Sequence, residues 1–247
     1  MAHHPSIRHR GLVMLGVVAC VALLGAAPIA AQDATPTAAD VVLPPDAEVA
    51  GLSQAEWSAR WWQYLLTFPN DVSPYLDETG ERCNLGQSGP VFFLVGSPTT
   101  VERTCTVPLG TAVFIPASGV ECSTVEPPPF FGGNEEELRD CAEAAAEQIN
   151  IAQVDVTVNG EAVENLADYQ VTTPVYSVVL PEQNIFEAPA GVADSVAVEF
   201  PVILDGLPEG EHVITLADPG VGTTYRLTVA APQIIEPDAT PAATPGT

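Results

Sequence analysis

Val154-Asp-Val-Thr-Val-Asn-Gly-Glu-Ala-Val163 decides the fold class. Val154, Val156 and Val158 alternate with Asp155 and Thr157, the two-residue period of a strand with one buried face. Asn159-Gly160 then supplies two residues that tolerate positive φ, as a tight hairpin turn requires. The same grammar recurs at 90–95, 103–107, 111–115, 174–180, 195–200, 202–204, 212–216 and 224–229, with Gly or Pro punctuation between the runs. About nine or ten short strands so spaced predict an all-β domain, a β-sandwich or jelly roll.

Two helices interrupt this pattern. Ser53 and Glu56 form a capping box, and Trp57, Trp61, Tyr64, Leu65 and Phe68 follow at helical spacing until Pro69. This N-terminal helix is expected to cap the sandwich with Trp57 and Trp61 in its core. Trp62 lies about 100° around the helix from Trp61, which makes it the better indole for stacking on a sugar or other ligand. Arg60 beside it would pair with a carboxylate or stack on an indole. The second helix starts at Asn134, carries Glu135, Glu136 and Glu137 in its first turn, and has Leu138, Cys141, Ala142, Ala145 and Ile149 on one face. With Pro116 read as the end of a strand, residues 117–152 look like an excursion from the sheet. Within it, Phe130 and Phe131 would either cover a sheet edge or form an exposed docking tip.

The ends of the chain read differently. Residues 1–31 have the form of a secretory signal peptide: Arg8 and Arg10, an apolar run over 11–25, and small residues before Gln32. Val17-Val-Ala-Cys20 also fits a loose lipobox, which would place a lipid anchor on Cys20, although the apolar run continues past it. Residues 32–47 and 232–247 are Thr/Pro/Ala-rich, a linker and a disordered tail by composition, which leaves 48–231 as the folded domain. Export to the extracellular space or cell envelope follows, with no part integral to a membrane once the signal is cleaved.

Past the signal, five arginines face 32 acidic residues, a formal charge of about −27, and there is no lysine. Nucleic acid and anionic lipid are excluded as electrostatic partners. The carboxylates would serve solubility or collect Ca²⁺, the one cofactor the composition suggests. No Asp-x-Asp-x-Asp-Gly loop names a calcium site. Cys83, Cys105, Cys122 and Cys141 remain, an even number in an exported chain. Of three connectivities, Cys83–Cys105 with Cys122–Cys141 is favoured because each bond closes a short loop. With no Cys-x-x-Cys and no histidine nearby, a zinc site has little support.

The side-chain repertoire narrows the chemistry. His212 is the sole histidine after the signal, at the edge of a turn, and there is no Gly-x-Ser-x-Gly elbow. Without lysine there is no Schiff-base route, and paired cysteines leave no thiolate. Two carboxylates suffice for glycoside hydrolysis, and Asp71, Asp77, Glu78 and Glu81 cluster near the aromatic helix. No catalytic residue is nominated. The ligand-binding candidates are Trp62, Arg60, Asp77 and Glu78. A non-enzymatic binding or structural domain, met by a glycan or a cell-envelope component, is the leading expectation. A carboxylate-based glycan hydrolase and a Ca²⁺-stabilised envelope protein are the alternatives.

Several segments together resemble an uncharacterised family of secreted bacterial proteins: Trp57-Ser-Ala-Arg-Trp-Trp-Gln63, Gly86-Gln-Ser-Gly-Pro-Val-Phe-Phe-Leu-Val-Gly96, Arg103-Thr-Cys-Thr-Val-Pro108, Glu121-Cys122, Leu180-Pro-Glu-Gln-Asn-Ile-Phe186 and Leu207-Pro-Glu-Gly-Glu-His-Val-Ile214. The resemblance spans about residues 53–230. It implies an exported globular domain and brings no assigned activity and no catalytic residues.

Overall fold

Two five-stranded sheets face each other in a computed structural model that describes residues 36–232. The signal, Cys20 and residues 233–247 of the tail lie outside the described residues. The first sheet contains β1 (Val91–Phe93), β3 (Ala112–Ser123) and β8 (Gly191–Leu204), with β6 (Val171–Thr172) and β7 (Tyr176–Leu180) both on the far edge of β8. The second runs β2 (Val101–Pro108), β10 (Val221–Ala230), β9 (Gly210–Asp218), β4 (Asp155–Val158), β5 (Glu161–Ala162). The all-β sandwich expected from the alternation is what forms. Its sheets are mixed rather than purely antiparallel, because β1 pairs with β3 and β2 with β10 in parallel. The Asn159-Gly160 turn joins β4 to β5, with both residues at positive φ.

Between the sheets lies the main core. Val113, Ile115, Val202 and Leu204 of the first sheet meet Val156, Ile214, Tyr225 and Leu227 of the second. The short helix α1 (Ala38–Val41) joins this core through Ala38 and Val41, and Val42 bridges to Leu204. Residues 38–43 thus belong to the folded body, although their composition reads as linker: two buried apolar side chains and backbone bonds to β8 outweigh a Thr/Pro-rich neighbourhood.

Each face of the first sheet carries a helix. Helix α2 (Gln54–Leu66) packs Trp57, Trp61, Trp62 and Leu65 on Phe114, Ala197 and Ile203. Helix α3 (Glu135–Ala146) packs Leu138, Ala142 and Ala146 on Cys122, Val196 and Val198 of the opposite face. Both N-caps follow the sequence reading, with Ser53 accepting from the Glu56 amide and Asn134 from the Glu137 amide. Disulfides Cys83–Cys105 and Cys122–Cys141 are both present and pin the loop before β1 to β2 and helix α3 to β3.

One departure matters for function. The sequence reading ends a strand at Pro116, yet β3 continues to Ser123. Pro116 lies opposite Pro201 of β8; the Phe114–Ile203 pair beside it turns its carbonyls outward to Leu94 and Leu43, so by alternation Pro116 and Pro201 form a non-hydrogen-bonded pair and their missing N–H groups cost no β3–β8 bond. Between Pro116 and Gly119 the register slips by one residue, a β-bulge. A slip of one residue exchanges the two faces of a strand. Before the bulge Phe114 faces α2; after it Gly119, Glu121 and Ser123 do.

Candidate functional site

That bulge turns two acidic side chains into the protein. Gly119 pairs with Glu199, Glu121 with Ala197 and Ser123 with Ser195, while Tyr176 of β7 pairs with Ser195 from the other side. Glu121, Ser195, Glu199 and Tyr176 therefore share the face beneath α2 and the loop after β7. Glu121 is 4% exposed and Glu199 1%.

The two carboxyls have different surroundings. Glu199 lies across Gly119 of the neighbouring strand, where a β-carbon would be 2.1 Å from its Oε2. Trp62 Nε1 donates to Oε2 at 3.1 Å. Burial pushes the Glu199 pKa well up, and the Trp62 and Phe200 N–H groups offset only part of it. Glu121 points toward the tip of the sheet, against Glu126, Ser195 and Tyr176. Its pKa is pushed up to about 10, first by burial and then by contact with the Glu126 carboxylate, with the Ser195 hydroxyl pulling the other way. Burial, followed by the Glu121 charge, raises Tyr176 as well. Glu126 is half-buried at the rim and accepts from Ser123 Oγ at 3.0 Å. Both Glu121 oxygens, Tyr176 Oη, Ser195 Oγ and Glu199 Oε1 are buried with no hydrogen-bond partner.

The sequence-derived ligand candidates are scattered rather than convergent. Trp62, expected to face a ligand, is 8% exposed and spends its N–H on Glu199. The helix is clad on more than one side, by β8 as well as by β1 and β3, so an indole 100° from the core stripe is also covered. Arg60 is exposed and stacks over the Trp57 ring at 5.0 Å, the stacking role anticipated for it. Asp77 is buried as the cap of its own turn, accepting from the Thr79 and Arg82 amides. Burial pushes its pKa up, but the amides of Arg82, Thr79 and Gly80 outweigh this and hold it below the usual carboxylate range. Glu78, Asp71 and Glu81 are exposed.

Other polar side chains serve the scaffold. Arg103 is buried, donating to the carbonyls of Asp77, Val95, Gly96 and Tyr75 and to Tyr225 Oη. His212, expected at the edge of a turn, is 3% exposed near the start of β9. Its Nε2 donates to the Pro208 carbonyl at 2.9 Å and its Nδ1 accepts from Asn159 Nδ2 at 3.3 Å. The motif segments behave alike. Gln87 bonds both the N–H and the C=O of Phe93, standing in for a missing neighbour strand at the β1 edge. Asn184 ties Pro181, Phe186 and Ala188 into one loop. Phe131 lies beside the β3 edge through a bridge to Ser123, while both Phe130 and Phe131 keep part of their rings exposed.

An open groove of about 820 Å³ runs along the outer side of α2 between Arg60, Gln63, Tyr64 and Phe68 and the 86–90 loop. Among the described residues no group of three or more His, Cys, Asp or Glu stands at metal-holding spacing, and no helix is long and apolar enough to cross a membrane. Compared with protein families, curated proteins and solved structures, the chain matches none.

Proposed function

We propose that this is an exported, non-enzymatic domain of the cell envelope or extracellular space, a rigid binding or structural module whose ligand is a neutral glycan or a similar envelope component. One observation carries the reading: the three indoles and His212 are each used internally. The three indoles are 3%, 5% and 8% exposed, and their N–H groups go to Val49 O, Leu94 O and Glu199 Oε2. His212 is held at both ring nitrogens. Glu199 lies under Trp62 and Glu121 is 4% exposed, so neither lines an open cleft that would admit a glycosidic bond.

The groove along α2 is the surface that suits a ligand. Half-exposed Tyr64 and Phe68 offer ring faces, and Arg60 and Gln63 offer donors. The acidic exterior favours neutral over acidic sugars. The two disulfides support the oxidising compartment that the signal-like N-terminus predicts, and the resemblance to secreted bacterial proteins agrees.

A glycan array and a parallel hydrolysis screen on the purified protein test this. Binding without turnover, lost in Arg60→Ala and Phe68→Ala, is the expected result. Turnover of any glycan would overturn the non-enzymatic reading. Binding that survives both substitutions would remove the groove from it.

A further inference from the structure

The tip of the first sheet holds an arrangement that the scaffold does not explain. Glu121, Ser123 and Ser195 share one face of β3 and β8, Tyr176 of β7 flanks Ser195, and Glu126 reaches back to accept from Ser123 Oγ at 3.0 Å. Both Glu121 oxygens, Ser195 Oγ and Tyr176 Oη are buried, and although the Ser195 hydroxyl lies near enough to Glu121 and Tyr176 to favour their charged forms, none of these atoms makes a well-formed hydrogen bond. Native proteins rarely leave such atoms unpaired, and a group of them marks the place of a bound ion or water. Among the described residues no protein cation fills the role. The sequence has no lysine. Arg60 is on Trp57, Arg82 bonds Ser73, Arg103 is enclosed by carbonyls, and Arg139 and Arg226 pair with Glu135 and Glu102. His212 is held by Asn159 and Pro208.

We propose that Glu121 and Glu126, with the Ser195 and Tyr176 hydroxyls, bind one hard divalent cation of the calcium class. The donors are all oxygen, which selects calcium or magnesium over zinc or copper. Two carboxylates neutralise a divalent ion, so the filled site carries no net charge into the interior. Glu126 lies at the rim, at the start of the Pro127–Pro129 loop, and gives the ion a route from solvent. The two hydroxyls and water complete the shell. A site with only two carboxylates belongs to the weak, extracellular range of calcium affinity, about 10⁻⁴–10⁻³ M. An ion here would clamp the β3, β7 and β8 strands together, and would make this part of the sheet rigid only where calcium is abundant.

The test uses the purified protein and Tb³⁺, whose luminescence is sensitised by a nearby aromatic ring such as Tyr176, with Ca²⁺ as competitor. The expected result is one saturable site displaced by Ca²⁺, weakened at least tenfold in both Glu121→Gln and Glu126→Gln. The isosteric amide keeps the fold of the first variant, and Glu126 is exposed enough that its change leaves the core alone. Glu135→Gln and Glu136→Gln, at the exposed start of α3, should leave the site as it was. No saturable luminescence would overturn the proposal, and a pair that merely shares a proton gives that outcome. Binding equally weakened by the α3 changes, or untouched by Glu121→Gln and Glu126→Gln, would place the ions on the acidic surface and overturn it too.

Discussion

Replacing Gly119 by alanine adds one methyl group at a position where the backbone is comfortable and the space is not. Gly119 is not among the residues at positive φ, so alanine meets no conformational penalty there. Its β-carbon would instead fall 2.1 Å from Glu199 Oε2, 2.6 Å from Cδ and 2.8 Å from Oε1. The carboxyl must swing away. Doing so forfeits the 3.1 Å bond from Trp62, worth about 1 kcal/mol, and leaves a buried indole N–H unpaired at about 1–3 kcal/mol. Overpacking in a filled interior adds about 1 kcal/mol or more. The change should therefore cost about 3 kcal/mol, read as a lower urea midpoint at unchanged slope. A double-mutant cycle isolates the cause. In Gly119→Ala/Glu199→Ala the new methyl occupies space that the carboxyl has vacated, so the two changes should cost at least about 1.5 kcal/mol less together than separately. A Gly119→Ala protein within about 0.5 kcal/mol of wild type, or a strictly additive pair, would refute the placement of Glu199 across β3.

Other expectations follow from the same interior. Glu199 has its pKa raised by burial, so the folded chain keeps a proton that the unfolded chain releases above about pH 4.3. Its contribution is complete below that pH and is lost as pH rises, by up to about 1.4 kcal/mol per pH unit until the folded group titrates. Glu199→Gln should gain stability relative to wild type between pH 5 and pH 8 in chemical denaturation, and parallel pH profiles would contradict this. Arg103→Lys should cost about 3 kcal/mol or more, because one ammonium cannot reach the separated acceptors that the guanidinium spans; a thermal melt within 2 °C of wild type would argue against that role. Converting Cys122 and Cys141 together to serine should cost about 3 kcal/mol, from a loop of 19 residues reopened in the unfolded chain. A loss under 1 kcal/mol by denaturant titration would show that α3 holds its place without the bond.

The sequence was most legible where structure is local. Period-two alternation at 154–158, the Ser53–Glu56 capping box and the Asn134 cap all report interactions between near neighbours, and each is found as read. The cysteine pairing also followed from short loops. What escaped was non-local. Pro116 reads as a strand end because a proline ordinarily costs a ladder bond; only its non-hydrogen-bonded position opposite Pro201 makes it harmless, and that pairing spans 85 residues. With β3 cut short, Glu121 fell into an apparent loop and Glu199 looked like an ordinary outward strand residue. Single-strand alternation had a hint: Val198-Glu199-Phe200-Pro201-Val202 sits in a stretch buried on both faces, where a lone acid is out of place. Trp62 was misplaced for a related reason. Helical spacing says which residues share a stripe, not how many neighbours clad the helix.

The functional reading rests on all three indoles being interior structure, so their accessibility in solution is its most direct measure. Acrylamide and iodide quenching of tryptophan fluorescence in the native protein should show uniformly shielded indoles, with strong quenching only after unfolding. A native fraction quenched as readily as a free indole would mean that at least one ring faces the solvent, and the internal, non-catalytic account of this aromatic helix would be wrong.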